Sequence, residues 1–187
     1  MILRLILGDQ LNRNHSWFDR KSDDVIYVML EIKQETTYVM HHIQKVVGFF
    51  LAMRNFAIEL KQDGHQVHYI QIDEKGNGFS FPDNLTPLIQ QYNAKRFEYQ
   101  EPDEYRLDTQ LKEFCDTLDI ETEMVSSEHF LTERNELTEF FEGKKMLLME
   151  SFYRNMRKKH DILMDGNGKP LGGKWNYDKE NRNKLPN

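Results

Sequence analysis

Three short clusters in the 187-residue sequence carry groups that could do chemistry: Gly8-Asp9-Gln10, Glu31 through Glu35 together with Tyr38, and Glu101-Pro102-Asp103-Glu104-Tyr105-Arg106. Their side chains are chiefly carboxylate, amide and phenol. Such groups suit the hydroxyls and ring N–H groups of a polar heterocycle or a ribityl chain. A phosphate site would call for glycines and cations at a helix start. Neither GxGxxG nor GxxxxGKS/T occurs, so ordinary dinucleotide or ATP binding loses ground. The plainer account is that these residues cap helices and close turns. The adjacent pair His41-His42 resembles a metal pair, but neighbouring residues of a helix point about 100° apart and cannot share an ion. These two read as flank histidines, and His65 and His68 as structural residues beside a strand. Cys115 falls on the apolar face of a helical pattern and reads as a buried, inert thiol.

What favours a site is the placement of the three clusters. Each follows an apolar run: Ile2 to Leu7, Val25 to Leu30, and the half-polar Arg96 to Tyr99. Two further runs, Val67 to Ile72 and Ile120 to Val125, complete five expected strands, the last alternating and therefore at an edge. Between them lie helical patterns. Val39, Ile43, Val46, Val47, Phe50, Met53, Ala57 and Leu60 recur at three- and four-residue steps up to Asp63-Gly64. A shorter helix starts at Pro82-Asp83-Asn84, and a third carries Leu107, Leu111, Phe114, Cys115 and Leu118. Strand–helix alternation predicts an α/β fold: a doubly wound, Rossmann-like, parallel five-stranded sheet with flanking helices. In such sheets ligands bind at the carboxyl ends of the strands, where strand order reverses. The clusters would converge on that edge. The link from Gly8 to Asp24 is short, with weak helical character around His15 to Phe18.

Beyond Glu128 the pattern changes to a helical and irregular connector. Leu131, Leu137, Phe140 and Phe141 predict one helix. Met149, Phe152, Tyr153, Met156 and His160 line a second, whose other face carries Arg154, Arg157, Lys158 and Lys159. The stretch from Asp165 to Asn187 is rich in glycine yet contains Trp175 and Tyr177, which predicts a tail that docks on something. Charge divides likewise: residues 1–143 sum to −12 and residues 144–187 to +6, within a total of −6. The acidic body would repel nucleic acid. The basic, aromatic-bearing end suits DNA or an acidic partner surface equally. One cysteine excludes an internal disulfide or a self-contained cysteine-ligated cluster. No apolar run approaches the roughly 20 residues of a membrane helix. The expected setting is the cytoplasm, with no membrane partner.

Several segments resemble the iron–sulfur bacterial cryptochromes and photolyases, the deoxyribodipyrimidine photolyase-related proteins. They are Leu5-Ile6-Leu7-Gly8-Asp9-Gln10-Leu11, Glu35-Thr36-Thr37-Tyr38-Val39 with His41, His42 and Lys45, and Phe130 to Lys145. More specific are Met149 to Arg157 and Lys169-Pro170-Leu171-Gly172-Gly173-Lys174-Trp175-Asn176-Tyr177-Asp178. The resemblance implies an N-terminal antenna domain that binds 6,7-dimethyl-8-ribityllumazine and passes excitation to a flavin. It places the contacts on Asp9, Glu35 and Tyr38, with Gln10 and the loop from Glu101 to Tyr105 close by. It further implies an antenna-type domain over residues 1–128 and a connector over 129–187. The connector would lead to a domain holding FAD and a four-cysteine [4Fe–4S] cluster. UV-damaged DNA, typically a (6-4) photoproduct, or a blue-light signal would be the business of the full-length protein. The chain then reads as the N-terminal part of a longer protein, with no catalysis of its own. The alternative is a freestanding module without chromophore that acts through its basic end on a partner or DNA.

Overall fold

Val25–Leu30 is apolar throughout, and all six residues are buried, as a strand covered on both faces requires. In the computed structural model, which describes residues 1–178, this strand is β2 of a five-stranded sheet. The others are β1 (Ile2–Leu5), β3 (Gln66–Ile70), β4 (Arg96–Gln100) and β5 (Glu121–Val125), in spatial order β3-β2-β1-β4-β5. Every pairing is parallel, with Ile2 set against Val25 on one side and Arg96 on the other. The order therefore reverses between β1 and β4. Helices α1 (Lys33–Thr37), α2 (Ile43–Gln62), α3 (Phe81–Gln91) and α4 (Tyr105–Asp116) connect the strands. The expected α/β, Rossmann-like parallel sheet is what forms. By its contacts the chain divides into Met1–His129 and the residues from Phe130 onward.

Two apolar layers hold the first unit. On one face Leu3, Leu5, Val28, Phe97 and Tyr99 pack with Leu85, Leu88, Leu111 and Phe114 of α3 and α4. On the other, Ile6, Tyr27 and Met29 pack with Trp17 and with Met53, Phe56 and Leu60 of α2. Each such side chain contributes about 1.5–3 kcal/mol by leaving water. The first connection carries a short 3₁₀ turn, Ser16–Phe18, which puts Trp17 into the second layer. Both sheet edges are the weaker strands, and β5 is mostly exposed as its alternation predicts. The half-polar β4 nevertheless lies inside the sheet. Its Glu98 is buried and bonded to Arg4 at 2.7 Å.

Some boundaries move. The apolar period runs back from Ile43 to Val39, yet α2 starts at Ile43 because His42 is its N-cap, its Nδ1 accepting the Gln44 N–H at 3.2 Å. Residues 33–37 form the separate helix α1 instead. Ser80 and Asp83 make a reciprocal capping box, so α3 begins at Phe81 rather than Pro82. Cys115 is only partly buried on the flank of α4; desolvation raises its thiol pKa.

The second unit contains α5 (Glu136–Phe141) and α6 (Met149–Lys159). Phe152 of α6 packs on Phe140 at 5.2 Å. Arg157, expected on the solvated basic face, is buried. Its guanidinium donates to the carbonyls of Ile162, Leu163 and Trp175, so backbone acceptors past the helix end draw it inward. The Asp165 side chain accepts from the N–H groups of Asn167 and Lys169 at 2.9 and 2.8 Å. That turn closes a bridge between Met164 and Pro170. The ending Lys184 to Asn187 lies outside the described residues.

Candidate functional site

A cavity of about 270 Å³ opens at the carboxyl ends of β1 and β2. Leu7, Leu30, Ile32, Phe49, Phe50, Met53, Phe81 and Leu107 form its apolar wall. Asp9, Glu35, Tyr38, His41, Lys45 and Glu104 supply the polar groups. The close approach of α2 to the first loop rests on Gly8, where a Cβ would meet the Met53 sulfur at 3.0 Å. A larger side chain there would press on the Met53 and Phe49 side chains that wall the cavity.

Three of the residues singled out in the sequence thus meet at one cavity: Asp9 after β1, Glu35 in α1 and Tyr38 at its end. Asp9 is exposed as a whole residue, but desolvation of its carboxyl at the cavity pushes it above its ordinary range. A backbone hydrogen bond opposes the rise, while the nearby negative charges of Asp103 and Glu35 add to it. The Tyr38 ring is 47% exposed and meets the His41 ring edge-on at 5.0 Å.

Gln10, Glu101 and Tyr105 do not line the cavity. Gln10 is buried. Its Oε1 accepts the Leu7 N–H at 3.0 Å, and its Nε2 donates to the carbonyls of Gln100 and Glu101, both at 3.2 Å. It therefore fills the crevice between β1 and β4, and the cavity sits to the β2 side of it. Glu101 takes part through its backbone, its N–H donating to Val125 O at 2.8 Å. Tyr105 opens α4 with its side chain 83% exposed.

Glu31, also in the second cluster, is fully buried in a different network. Arg54 donates to both its oxygens, the Tyr69 hydroxyl donates at 2.6 Å and Ile72 N–H at 2.9 Å. Burial alone would raise its pKa, but these donors outweigh it and hold the carboxyl below its ordinary value.

Sequence reasoning passed over His41, Phe49 and the role of Arg106. His41 and Lys45 sit four residues apart and lie on the same side of the chain, a spacing that could have flagged them. Phe49 lies three residues after Val46 and four before Met53, on the face of α2 that the apolar period marks. Arg106 donates to both Glu35 oxygens, at 3.0 and 2.9 Å. Among the described residues, no group of three His, Cys, Asp or Glu side chains is placed to hold a metal. No helix of the described residues is long and apolar enough to cross a membrane. The arrangement offers hydrogen-bond acceptors around an apolar slot. It can hold a flat ring by its faces and select it by its N–H and O–H groups.

Comparison with known proteins agrees with the motifs. The family described as deoxyribodipyrimidine photo-lyase-related protein matches residues 4–187. A (6-4) photolyase of Agrobacterium fabrum is 39% identical over 182 residues, covering 96% of this chain and 36% of that protein. An uncharacterized protein of Acanthamoeba polyphaga mimivirus is 29% identical over 179 residues, covering 91% of this chain and 87% of that protein. The chain thus spans little more than a third of the photolyase but nearly all of the viral protein. A match over almost its whole length places this chain in the deoxyribodipyrimidine photolyase-related family.

Proposed function

We propose that this chain is the light-harvesting, chromophore-binding unit of a photolyase-family protein, with 6,7-dimethyl-8-ribityllumazine as its ligand. One observation carries the reading: Asp9, Glu35 and Tyr38 converge on a single apolar cavity at the ends of β1 and β2. The volume of about 270 Å³ is close to the lower end of ordinary ligand sites, roughly 300–1,000 Å³. It suits a two-ring heterocycle whose polyol chain leaves through the mouth. Phe49, Phe50, Met53 and Leu30 would cover the ring faces. Asp9 and Glu35 would accept from N–H and O–H groups, and Tyr38 would close one side. The bound lumazine would absorb light and pass the excitation on.

FAD and a four-cysteine cluster belong, on this reading, to a separate domain of a longer protein, because this sequence has the single cysteine Cys115. DNA photorepair, in particular of (6-4) photoproducts, or blue-light sensing would be the work of that assembly, in the cytoplasm. The chain alone would repair nothing. Its residues 144–187, with their net charge of +6, would dock on that domain. The exposed run Met146-Leu147-Leu148-Met149 supplies apolar surface for such docking.

Titration with the lumazine, followed by its fluorescence, tests the site. Glu35→Ala removes a charged hydrogen-bond acceptor worth about 1.5–3 kcal/mol, so affinity should fall by one to two decades. Equal affinity in the two proteins would remove the assignment.

The mimivirus relative, matched over 87% of its length, favours a second reading, a freestanding module that works through its basic end. On that reading this chain would be colourless when purified. It would bind duplex DNA with an affinity that falls steeply with salt.

A further inference from the structure

Helix α1 is attached to the molecule in an unusual way. It has five residues, none buried, and no side-chain cap at its start. The turn after it is open to solvent, with Val39 50% and Met40 101% exposed. Apolar packing therefore does little to fix residues 33–42. Polar ties do it instead: a backbone bond from Gln34 N–H to Phe79 O at 3.0 Å, and two ties to α4. Gln34 and Gln110 exchange amide hydrogen bonds at 2.6 and 3.0 Å. Arg106 grips Glu35 through both terminal nitrogens, and its Nε and Nη2 reach the two oxygens of Glu104 at 2.9 and 3.0 Å. The same guanidinium lies over the Tyr38 ring, 4.3 Å from its centre.

We propose that Arg106 is the positioning residue of the cavity: it holds Glu35 and Tyr38 at the wall and keeps α1 closed over the ligand. The proposal rests on reading this cavity as the ligand site. Arg106 is not itself among the lining residues. The planar fork matches a carboxylate at two points, which an ammonium cannot do. A cation over the phenol ring adds a contact that Lys on a flexible stem holds poorly. Glu35 Oε2 keeps a lone pair for a ligand donor while bonded to Arg106, whereas Oε1 also accepts from Gln34 Nε2 at 3.2 Å. The clamp therefore presents Glu35 without using it up. Segments with few apolar contacts open at low free energy, so loosening the clamp should free α1 while the sheet stays closed.

Arg106→Gln, Arg106→Lys, Glu35→Gln and the double variant Glu35→Gln/Arg106→Gln test this in the whole chain. The Arg106 side chain is 34% exposed, so these changes leave the core packed. The first readout needs no ligand. Amide exchange over residues 33–42 should rise at least tenfold in Arg106→Gln and stay unchanged in the sheet. Unchanged exchange there would overturn the proposal. The second readout is 6,7-dimethyl-8-ribityllumazine titration. Arg106→Gln should weaken binding at least tenfold, and Arg106→Lys should recover little of it. Full rescue by Lys would mean that charge alone matters and would overturn the clamp. In the Glu35→Gln background the same Arg106 change should lose less than threefold. An equal loss in both backgrounds would show that Arg106 does not act through Glu35. A wild-type chain that fails to bind the lumazine would defeat the ligand reading alone, and the exchange experiment would still decide the clamp.

Discussion

Arg54 Nε and Nη2 meet the two carboxylate oxygens of Glu31 at 2.6 and 2.8 Å, yet the partners differ in their access to water: Glu31 is fully buried and Arg54 is 39% exposed. Removing one member of a buried pair costs about 3–5 kcal/mol when the other is left stranded. Arg54→Met strands Glu31, and partial exposure of the pair places the loss near 3 kcal/mol. Glu31→Gln leaves Arg54 free to turn to solvent and should cost less. Thermal unfolding should show Arg54→Met lower in Tm by about 6–12 °C, with Glu31→Gln between it and the wild type. The folded pKa of Glu31 lies below its ordinary 4.5. Its contribution is therefore complete above pH 4.5 and lost as pH falls through the folded value. The Arg54→Met deficit should shrink over the same range.

Asp9 has the opposite sign. Its folded pKa is raised above 3.8, chiefly by desolvation of the carboxyl at the cavity although the residue is exposed. The charged form therefore destabilises the fold modestly, beginning once pH exceeds 3.8 and in full above the folded value. Asp9→Asn should raise Tm at pH 7, with the gain vanishing below pH 3.8. Lumazine affinity should move the other way, because an amide NH₂ replaces an acceptor. A Tm unchanged at pH 7 would contradict the assigned cause.

Gln10 and Tyr105 should separate stability from binding. Gln10→Ala leaves the Leu7 N–H and the carbonyls of Gln100 and Glu101 without their partner, a loss of about 1–3 kcal/mol. The melting temperature should drop by several degrees. Tyr105→Ala removes a ring that is 83% exposed and should change neither Tm nor lumazine affinity. Calorimetry and the same fluorescence titration measure both. A tenfold loss of affinity in Tyr105→Ala would move the site toward the start of α4.

Arg157 organises the chain after α6, where the sequence predicts a glycine-rich tail that docks on something. Charged hydrogen bonds contribute about 1.5–3 kcal/mol. Arg157→Met should therefore speed amide exchange at Asp165 and Leu171, which bond to Lys169 O and Leu163 O, by one to two decades. Exchange in β1 and β2 should stay as it was. Equal protection in both proteins would show that the turn at Asp165 holds by itself.

The strands and their order along the chain were legible because burial writes itself locally. Val25–Leu30 has no polar residue to face solvent, and the alternation of β5 marks an edge strand, four of whose five residues are exposed. The end of α2 was legible for the same reason, since Gly64 takes a φ of +89° that other residues resist. Its start was not. The apolar period passes smoothly from Val39 into Ile43, and the break comes from one imidazole nitrogen of His42 capping the Gln44 amide.

At the site, local pattern was enough to single out the stretches that could contribute, because the loops after parallel strands must emerge at one edge of the sheet. It could not determine which way each side chain turns. Asp9 and Gln10 are neighbours, but the turn that bonds Gln10 N–H to Leu7 O sends Gln10 inward to bind β4 and leaves Asp9 at the cavity. The meeting of Glu35 and Arg106 comes from the folded sheet. The order β3-β2-β1-β4-β5 carries the chain across the sheet between them, and no local pattern encodes a contact whose partners are brought together by the pairing of other strands.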